Sequence, residues 1–354
     1  MDDTLYVNGR FYTQPLSGVQ RFATEITRAL VQRRAGRVVV LGPEGAQAKQ
    51  PFVREVGRGS GQAWEQFELP KHATEGMLIN LGNMAPLRLR SQLVVIHDAG
   101  VFATPEAYSW KFRLYYKLAH RLLMRRGVCV ATVSEFGRSE LVRCLGANPD
   151  QVGVISEGAD HMAGIAADEG VLASVPPGRF VLAVGNLAAH KNLAALSELA
   201  GRLAGRGVSL VITGGLATGA FPKARLDALP QPACYVGRVS DGALKALYER
   251  AACLVFPSRY EGFGLPAVEA MACGCPVVAS RIPALQETCG DAALYVDPSS
   301  PADIARQVCR LLDDPALDQA MRAAAREWVR AFTWARAAKQ LADIADNYRK
   351  ARAA

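Results

Sequence analysis

Long hydrophobic runs are missing from these 354 residues. No segment approaches about 18 consecutive apolar residues, so none is expected to cross a bilayer. Residues 1–7 begin acidic and lack a basic stretch followed by an apolar one, so no secretory signal is expected. Cysteine occurs eight times, at 129, 144, 234, 253, 273, 275, 289 and 309, never as C-x-x-C with histidine partners. Scattered through apolar patterns, these read as reduced, mostly buried thiols rather than as a disulfide framework or a metal site. Small-residue packing accounts for the one close pair, Cys273 and Cys275, better than a metal does. Aromatic residues make up only 7%. Acid is in deficit, 33 Asp and Glu against 41 Lys and Arg, which leaves a net charge of +8. That charge favours anionic partners such as nucleotides, phospholipid surfaces or nucleic acid without choosing among them. Half of the residues are hydrophobic and no long polar tract exists, which excludes disorder.

What the chain does have is length for two domains and a regular succession of short Val-, Ile- and Leu-rich runs. The strand candidates of the first half are residues 5–7, 37–41, 77–81, 93–97, 128–133 and 152–155. Those of the second are 180–184, 209–213, 234–236, 253–257, 276–279 and 293–296. Their hydrophobicity is continuous rather than alternating, as in parallel strands buried on both faces under helices. Two such series predict an α/β chain of two doubly wound domains. The joint is expected near residues 158–178, a stretch poor in strand pattern that ends in Pro176-Pro177-Gly178. A last helical pattern over residues 334–350 follows the second series.

In open parallel sheets ligands bind beyond the carboxyl ends of the strands, so the loops there are the candidate sites. After the first strand, Ser17-Gly18 opens a helix, where backbone N–H groups can approach an anion; a turn glycine is the plainer reading. After residue 96 comes His97-Asp98, a structural histidine or a site histidine with equal claim. Residues 181–184 run into Gly185-Asn186, and Lys191 follows His190 where a helix is expected to begin, a place where an ammonium can meet a phosphate. The spacing is not that of a Walker loop. Val239 lies in a turn after residue 236. The densest segment is residues 256–269, in which a buried strand runs into Glu261-Gly262-Phe263-Gly264-Leu265-Pro266 and then Glu269. The glycines open backbone N–H groups to a ligand. Glu261 at the loop tip and Glu269 near a helix start are suited to accept hydroxyls, the latter both hydroxyls of a ribose. Paired carboxylates arise by chance; the whole E-G-F-G-L-P-x-x-E string does not.

Those residues carry a resemblance. S-G-V-Q-R-F at 17–22, H-D at 97–98, T-V-S-E-F-G-R-S-E-L at 132–141, V-G-N-x-x-x-H-K-N at 184–192 and the E-x7-E block stand in order along most of the chain. The sequence resembles the retaining glycosyltransferases of the GT-B fold, family 4 (group 1). The resemblance implies two Rossmann-like domains facing a central cleft: residues 1–165 for the acceptor, 166–333 for the nucleotide sugar, and 334–354 returning toward the N-domain. It implies that Lys191 neutralises the donor diphosphate, that Glu261 binds sugar hydroxyls, and that His97 lies near the transferred sugar. Gly18, Gly185, Asn186 and His190 would line the diphosphate, and Phe263, Gly264 and Leu265 would add backbone contacts. Glu269 would hold the ribose and Val239 would sit by the base. Many relatives have Arg where this chain has His190, and some have Arg where it has Asn186, so more of the phosphate charge would fall on Lys191, with Arg259 or Arg238 to compensate. Ser156 replaces a usual proline in V-I-P-E-G-x-D, a change assigned to a hinge-side loop.

The resemblance further implies a metal-independent transfer with retention, no cofactor and no protein nucleophile. The donor is a GDP-, UDP- or dTDP-sugar, with mannose the first guess, and the acceptor a glycan or lipid-linked acceptor of surface polysaccharide. A GT-B nucleotide-sugar epimerase or a non-catalytic relative are the alternatives, and no nucleic-acid module is recognisable. Of the first 160 residues, 20 are Lys or Arg and 15 Asp or Glu; residues 106–126, with six cations and one acid, account for that whole excess. A basic aromatic helix there either packs its apolar face on the domain with its charges in water, or lies on anionic lipid. The expected location is the cytoplasm, with the inner face of the plasma membrane open through that helix.

Overall fold

The computed structural model describes residues 4–48, 50–105, 108–215 and 229–353. They form two compact units, the first within residues 1–102, 113–158 and 333–354, the second within 103–112 and 159–332. The chain thus passes between units at 102/103, 112/113, 158/159 and 332/333.

The first unit holds a seven-stranded parallel sheet of β1 (Leu5–Asn8), β2 (Val38–Gly42), β3 (Val53–Glu55), β4 (Met77–Asn80), β5 (Gln92–Val95), β6 (Cys129–Thr132) and β7 (Val152–Val154). The spatial order is β3-β2-β1-β4-β5-β6-β7, with every pairing parallel. The order reverses between β1 and β4, the switch point at which such sheets open a crevice. The edge strand β3 is absent from the sequence expectations. Of its three residues only Val53 is buried, so no apolar run marks it.

The second unit repeats the plan with β8 (Phe180–Val184), β9 (Ser209–Thr213), β10 (Cys234–Tyr235), β11 (Cys253–Phe256), β12 (Val277–Ser280) and β13 (Ala293–Val296), ordered β10-β9-β8-β11-β12-β13. The continuous hydrophobicity of these strands has a direct cause. Alternate residues feed opposite faces of the sheet: Phe180, Leu182, Leu254, Phe256 and Val277 enter one core, and Val181, Ala183, Cys253, Val255 and Val278 the other. Both faces are dry, so apolar residues fill both register positions, and the buried hydroxyls at the strand ends, Thr213 and Ser280, are each bonded to a backbone carbonyl.

The helix Trp334–Ala353 closes the first unit. Gln340 Oε1 accepts from the Ser156 amide at 3.0 Å, Arg34 pairs with Asp346, and a Cβ on Gly153 would come within 2.5 Å of Ile344 Cδ1. Glycine in β7 therefore lets this helix lie directly on the strand. Among the described residues no helix is long and apolar enough to cross a membrane.

Candidate active site

The second unit gathers its candidate side chains at the carboxyl ends of β8, β9 and β11. After β8 the chain turns at Gly185-Asn186 and packs against the end of β9. The Gly185 amide donates to Thr213 O at 3.0 Å and Leu187 N to Gly215 O at 3.3 Å. Gly214 has φ +150°, and a Cβ there would come 1.8 Å from Gly185 O, so the two loops touch backbone to backbone. Lys191 then lies on a single 3₁₀ turn, Ala189–Lys191, and not at the opening of a helix as expected. Asn192 takes a left-handed conformation (φ +57°) and breaks the turn; the α-helix starts only at Ser197. The Asn192 side chain donates to Pro257 O at 3.0 Å and Pro298 O at 2.8 Å, and the Arg259 amide donates to His190 O at 2.8 Å. These bonds bind the Lys191 turn to the loop after β11.

That loop delivers Glu261. Lys191 Nζ donates to Glu261 Oε1 at 2.7 Å across 70 residues of sequence, and the ammonium also lies 5.4 Å from the centre of the Phe256 ring. Phe263 turns inward onto Phe332, so it presents backbone rather than ring outward. Gly264 has φ +101°, and a Cβ there would meet Leu285 Cδ2 at 2.4 Å; only glycine fits this closing turn. The helix Leu265–Ala272 begins directly after it, with Pro266 in its first turn. Glu269 lies on that helix and is buried. Tyr248 Oη donates to its Oε2 at 3.3 Å, and His161 Nε2 lies 3.2 Å from its Oε1. Burial, reinforced by Glu269, holds the Tyr248 hydroxyl well above its ordinary pKa and therefore as a donor. On β9, Thr213 Oγ1 donates to Gly237 O at 2.8 Å and Gly214 N to the same oxygen at 2.9 Å. These bonds fix the turn in which Val239, partly buried against the core, follows.

In the first unit Gly18 is the first residue of the helix Gly18–Arg33, with open space where a Cβ would stand. His97 follows β5. Its amide donates to Asn83 Oδ1 at 2.7 Å, its Nε2 lies 2.9 Å from Leu81 O, and Phe22 meets the ring edge-on at 4.7 Å. A carbonyl only accepts, so Nε2 carries a proton, and Nδ1 faces Glu157 Oε1 at 3.6 Å.

The family model described as glycosyl transferases group 1 matches residues 167–328. The chain is 30% identical over 308 residues to O-antigen chain mannosyltransferase B of Escherichia coli, covering 81% of this chain and 78% of that one. The chain belongs to the group 1 glycosyl transferases. Its fold is GT-B, with two Rossmann-like domains. Sucrose-phosphate synthase from Thermosynechococcus elongatus shares that fold with a TM-score of 0.76, at 21% identity over 99% of both chains. Anabaena HepE in complex with UDP-glucose does so with a TM-score of 0.72, at 17% identity over 98% of this chain and 99% of that one.

Against the group 1 pattern, the structure adds three residues that the sequence reading did not single out. Glu157 was placed in a hinge-side loop but faces His97. His161, on the turn Asp160–Gly164, and Tyr248, on the helix Asp241–Arg250, hold Glu269. Of the group 1 departures, His190 contributes its carbonyl to loop anchoring; of the two arginines expected to compensate, Arg238 runs beside Gly215 at the end of β9. Arg259 is exposed.

Proposed function

We propose that this glycosyl transferase moves a hexose or deoxyhexose, mannose first, from a nucleoside-diphosphate sugar to a glycan or lipid-linked acceptor in surface polysaccharide synthesis, with retention and without a metal. The observation that carries the reading is the meeting of Lys191 and Glu261 at 2.7 Å at the carboxyl edge of the second sheet. Both side chains are largely shielded from water. A shielded ammonium needs a counter-charge, and here a carboxylate supplies it. An arriving diphosphate offers Lys191 a second anion and leaves Glu261 free to accept the hydroxyls of the sugar.

The chemistry is electrostatic. The bond from the anomeric carbon to the phosphate oxygen breaks while the acceptor oxygen bonds on the same face. The acceptor's proton passes to the departing phosphate, whose charge Lys191 has offset. No protein nucleophile is required. Glu269, held by Tyr248 and His161, is the ribose acceptor; Gly18 and His97 keep the places beside the diphosphate and the sugar that membership of the group implies. The mannosyl donor is supported by the relative named for O-antigen mannosyl transfer. A UDP-sugar is the competing donor, supported by the fold relative solved with UDP-glucose. The acceptor, if lipid-linked, is met at an anionic membrane surface from the cytoplasm.

The test is transfer to saccharide or lipid-linked saccharide acceptors from a panel of GDP-, UDP- and dTDP-sugars, with and without EDTA, and NMR of the product's anomeric proton. An α-linked product from an α-configured donor, unchanged by EDTA, is expected. Inversion, EDTA inactivation or near-normal turnover by both Lys191→Ala and Glu261→Ala overturns the corresponding part.

A further inference from the structure

The helix Trp110–Arg125 does not do what the simpler sequence reading asks of it. Its buried residues are Ala119, His120 and Leu123. Trp110, Leu114, Leu118 and Leu122 are exposed at 66%, 52%, 57% and 40%, with Tyr115 at 38%; among the described residues, five of the nine exposed large hydrophobic side chains thus belong to this one helix. At 3.6 residues per turn, positions 110, 114, 118 and 122 follow one another at steps of about 40°. Arg121, Arg125 and Lys111, all exposed, fall between them. Round an arc of about 140° the surface is therefore apolar and cationic by turns, and no acid occurs from residue 110 to 126.

The other side of the helix is well anchored. There His120 Nε2 bonds to Asn83 O at 2.8 Å, while at the edge of the exposed arc Arg126 bonds to Leu87 O and Tyr115 Oη donates to Gln62 Oε1 at 3.1 Å. Burial pushes the His120 ring below its ordinary pKa, so it stays neutral in this contact. The exposed arc is thus not a helix waiting to rotate inward.

We infer that this arc is a bilayer-contact surface, on which the tryptophan and leucines enter the acyl boundary of an anionic membrane while Lys111, Arg121 and Arg125 meet lipid phosphates. Charge complementarity selects this occupant. Apposing two copies of the same face in a two-fold dimer places cation against cation. An anionic lipid surface accepts both components together, since long cationic side chains extend to the headgroups while the apolar residues between them are immersed. The inference gives a place and an orientation to the membrane partner of the proposed function, and it is tested without any sugar transfer.

The experiment is co-sedimentation of the full chain with phosphatidylcholine vesicles containing 0 or about 30% phosphatidylglycerol, at low and high salt. Binding to the anionic vesicles is expected, with a partition coefficient at least tenfold lower for Leu114→Ser/Leu118→Ser/Leu122→Ser and for Lys111→Gln/Arg121→Gln/Arg125→Gln. Circular dichroism and melting temperature should be unchanged, because these side chains are exposed. Fluorescence lost in Trp110→Phe should be the component quenched by brominated acyl chains. Equal binding by the leucine variant, binding to neutral vesicles alone, or a lipid-free dimer that the leucine variant dissociates each overturns it. Absent transferase activity with intact vesicle binding would instead count against the proposed function.

Discussion

Lys191 and Glu261, the proposed catalytic pair, are also a stability problem. Lys191→Ala leaves a shielded carboxylate without its cation, with an expected cost of about 1–3 kcal/mol and a fall in turnover of about 10²-fold or more. The double variant Lys191→Met/Glu261→Leu should recover most of the stability and none of the activity; urea melts alongside kcat separate the two effects. The thiols give a second expectation. Burial raises Cys253 and Cys289 to about 12 and Cys129 likewise to about 12. Between the unfolded thiol value and 12 the unfolded chain holds fewer protons than the folded one. The stability these groups contribute is thus complete below about pH 8.5 and declines above it, by up to about 1.4 kcal/mol per group per pH unit. Native protein at pH 8 should react with a thiol reagent first at the partly exposed Cys144, Cys234 and Cys309, more slowly at Cys273, whose thiol burial raises to about 12, and at the buried cysteines only on unfolding. At this scale the sequence was legible where the candidate site is written in a contiguous string, as with Glu261, Gly264 and Glu269. His161, Tyr248 and Glu157 were not, because chain crossings 108, 21 and 60 residues apart make their contacts.

Two glycines that look alike in sequence are separated at the scale of elements. Gly264→Ala forces a left-handed φ on a residue with a Cβ and drives that Cβ into the buried Leu285. It should cost about 1–3 kcal/mol and displace the Glu261 loop, lowering both the melting temperature and kcat. Gly18→Ala has open space and no positive φ, so its melting temperature should hold or rise slightly. A loss of donor affinity in Gly18→Ala without loss of stability would place the donor against the start of that helix; unchanged affinity would remove Gly18 from the site. Strands were the best-read elements, because burial on both faces writes itself as an uninterrupted apolar run. Val53–Glu55 escaped for want of one. The Lys191 turn was misread as a helix start because Asn192, whose left-handed conformation ends it, is held there by Pro257 and Pro298 from elsewhere in the chain. The helix Trp110–Arg125 was read correctly as basic and amphipathic. Which face turns outward depends on anchors such as Asn83, far away in sequence.

For the whole molecule, the proposed function puts nucleotide binding in the second unit, so a cognate nucleoside diphosphate at about 100 times its Kd should stabilise that unit by about 2.7 kcal/mol. For a unit of this size, that raises its melting by about 5–10 °C. A panel of GDP, UDP and dTDP identifies the base by which of them does so. Deleting residues 334–353 should loosen amide protection across β6 and β7 in hydrogen exchange and leave the nucleotide-dependent shift in place. The closing helix has a further consequence in time. A ribosome releases residues 159–332 as nearly the whole second unit in one run, whereas the first unit is left without its last helix after residue 158. At about 5–20 residues per second, it waits roughly 10–40 s. Throughout that interval the strip of β7 that Ile344 will cover stands open on the nascent chain, the natural place for a holding chaperone to act.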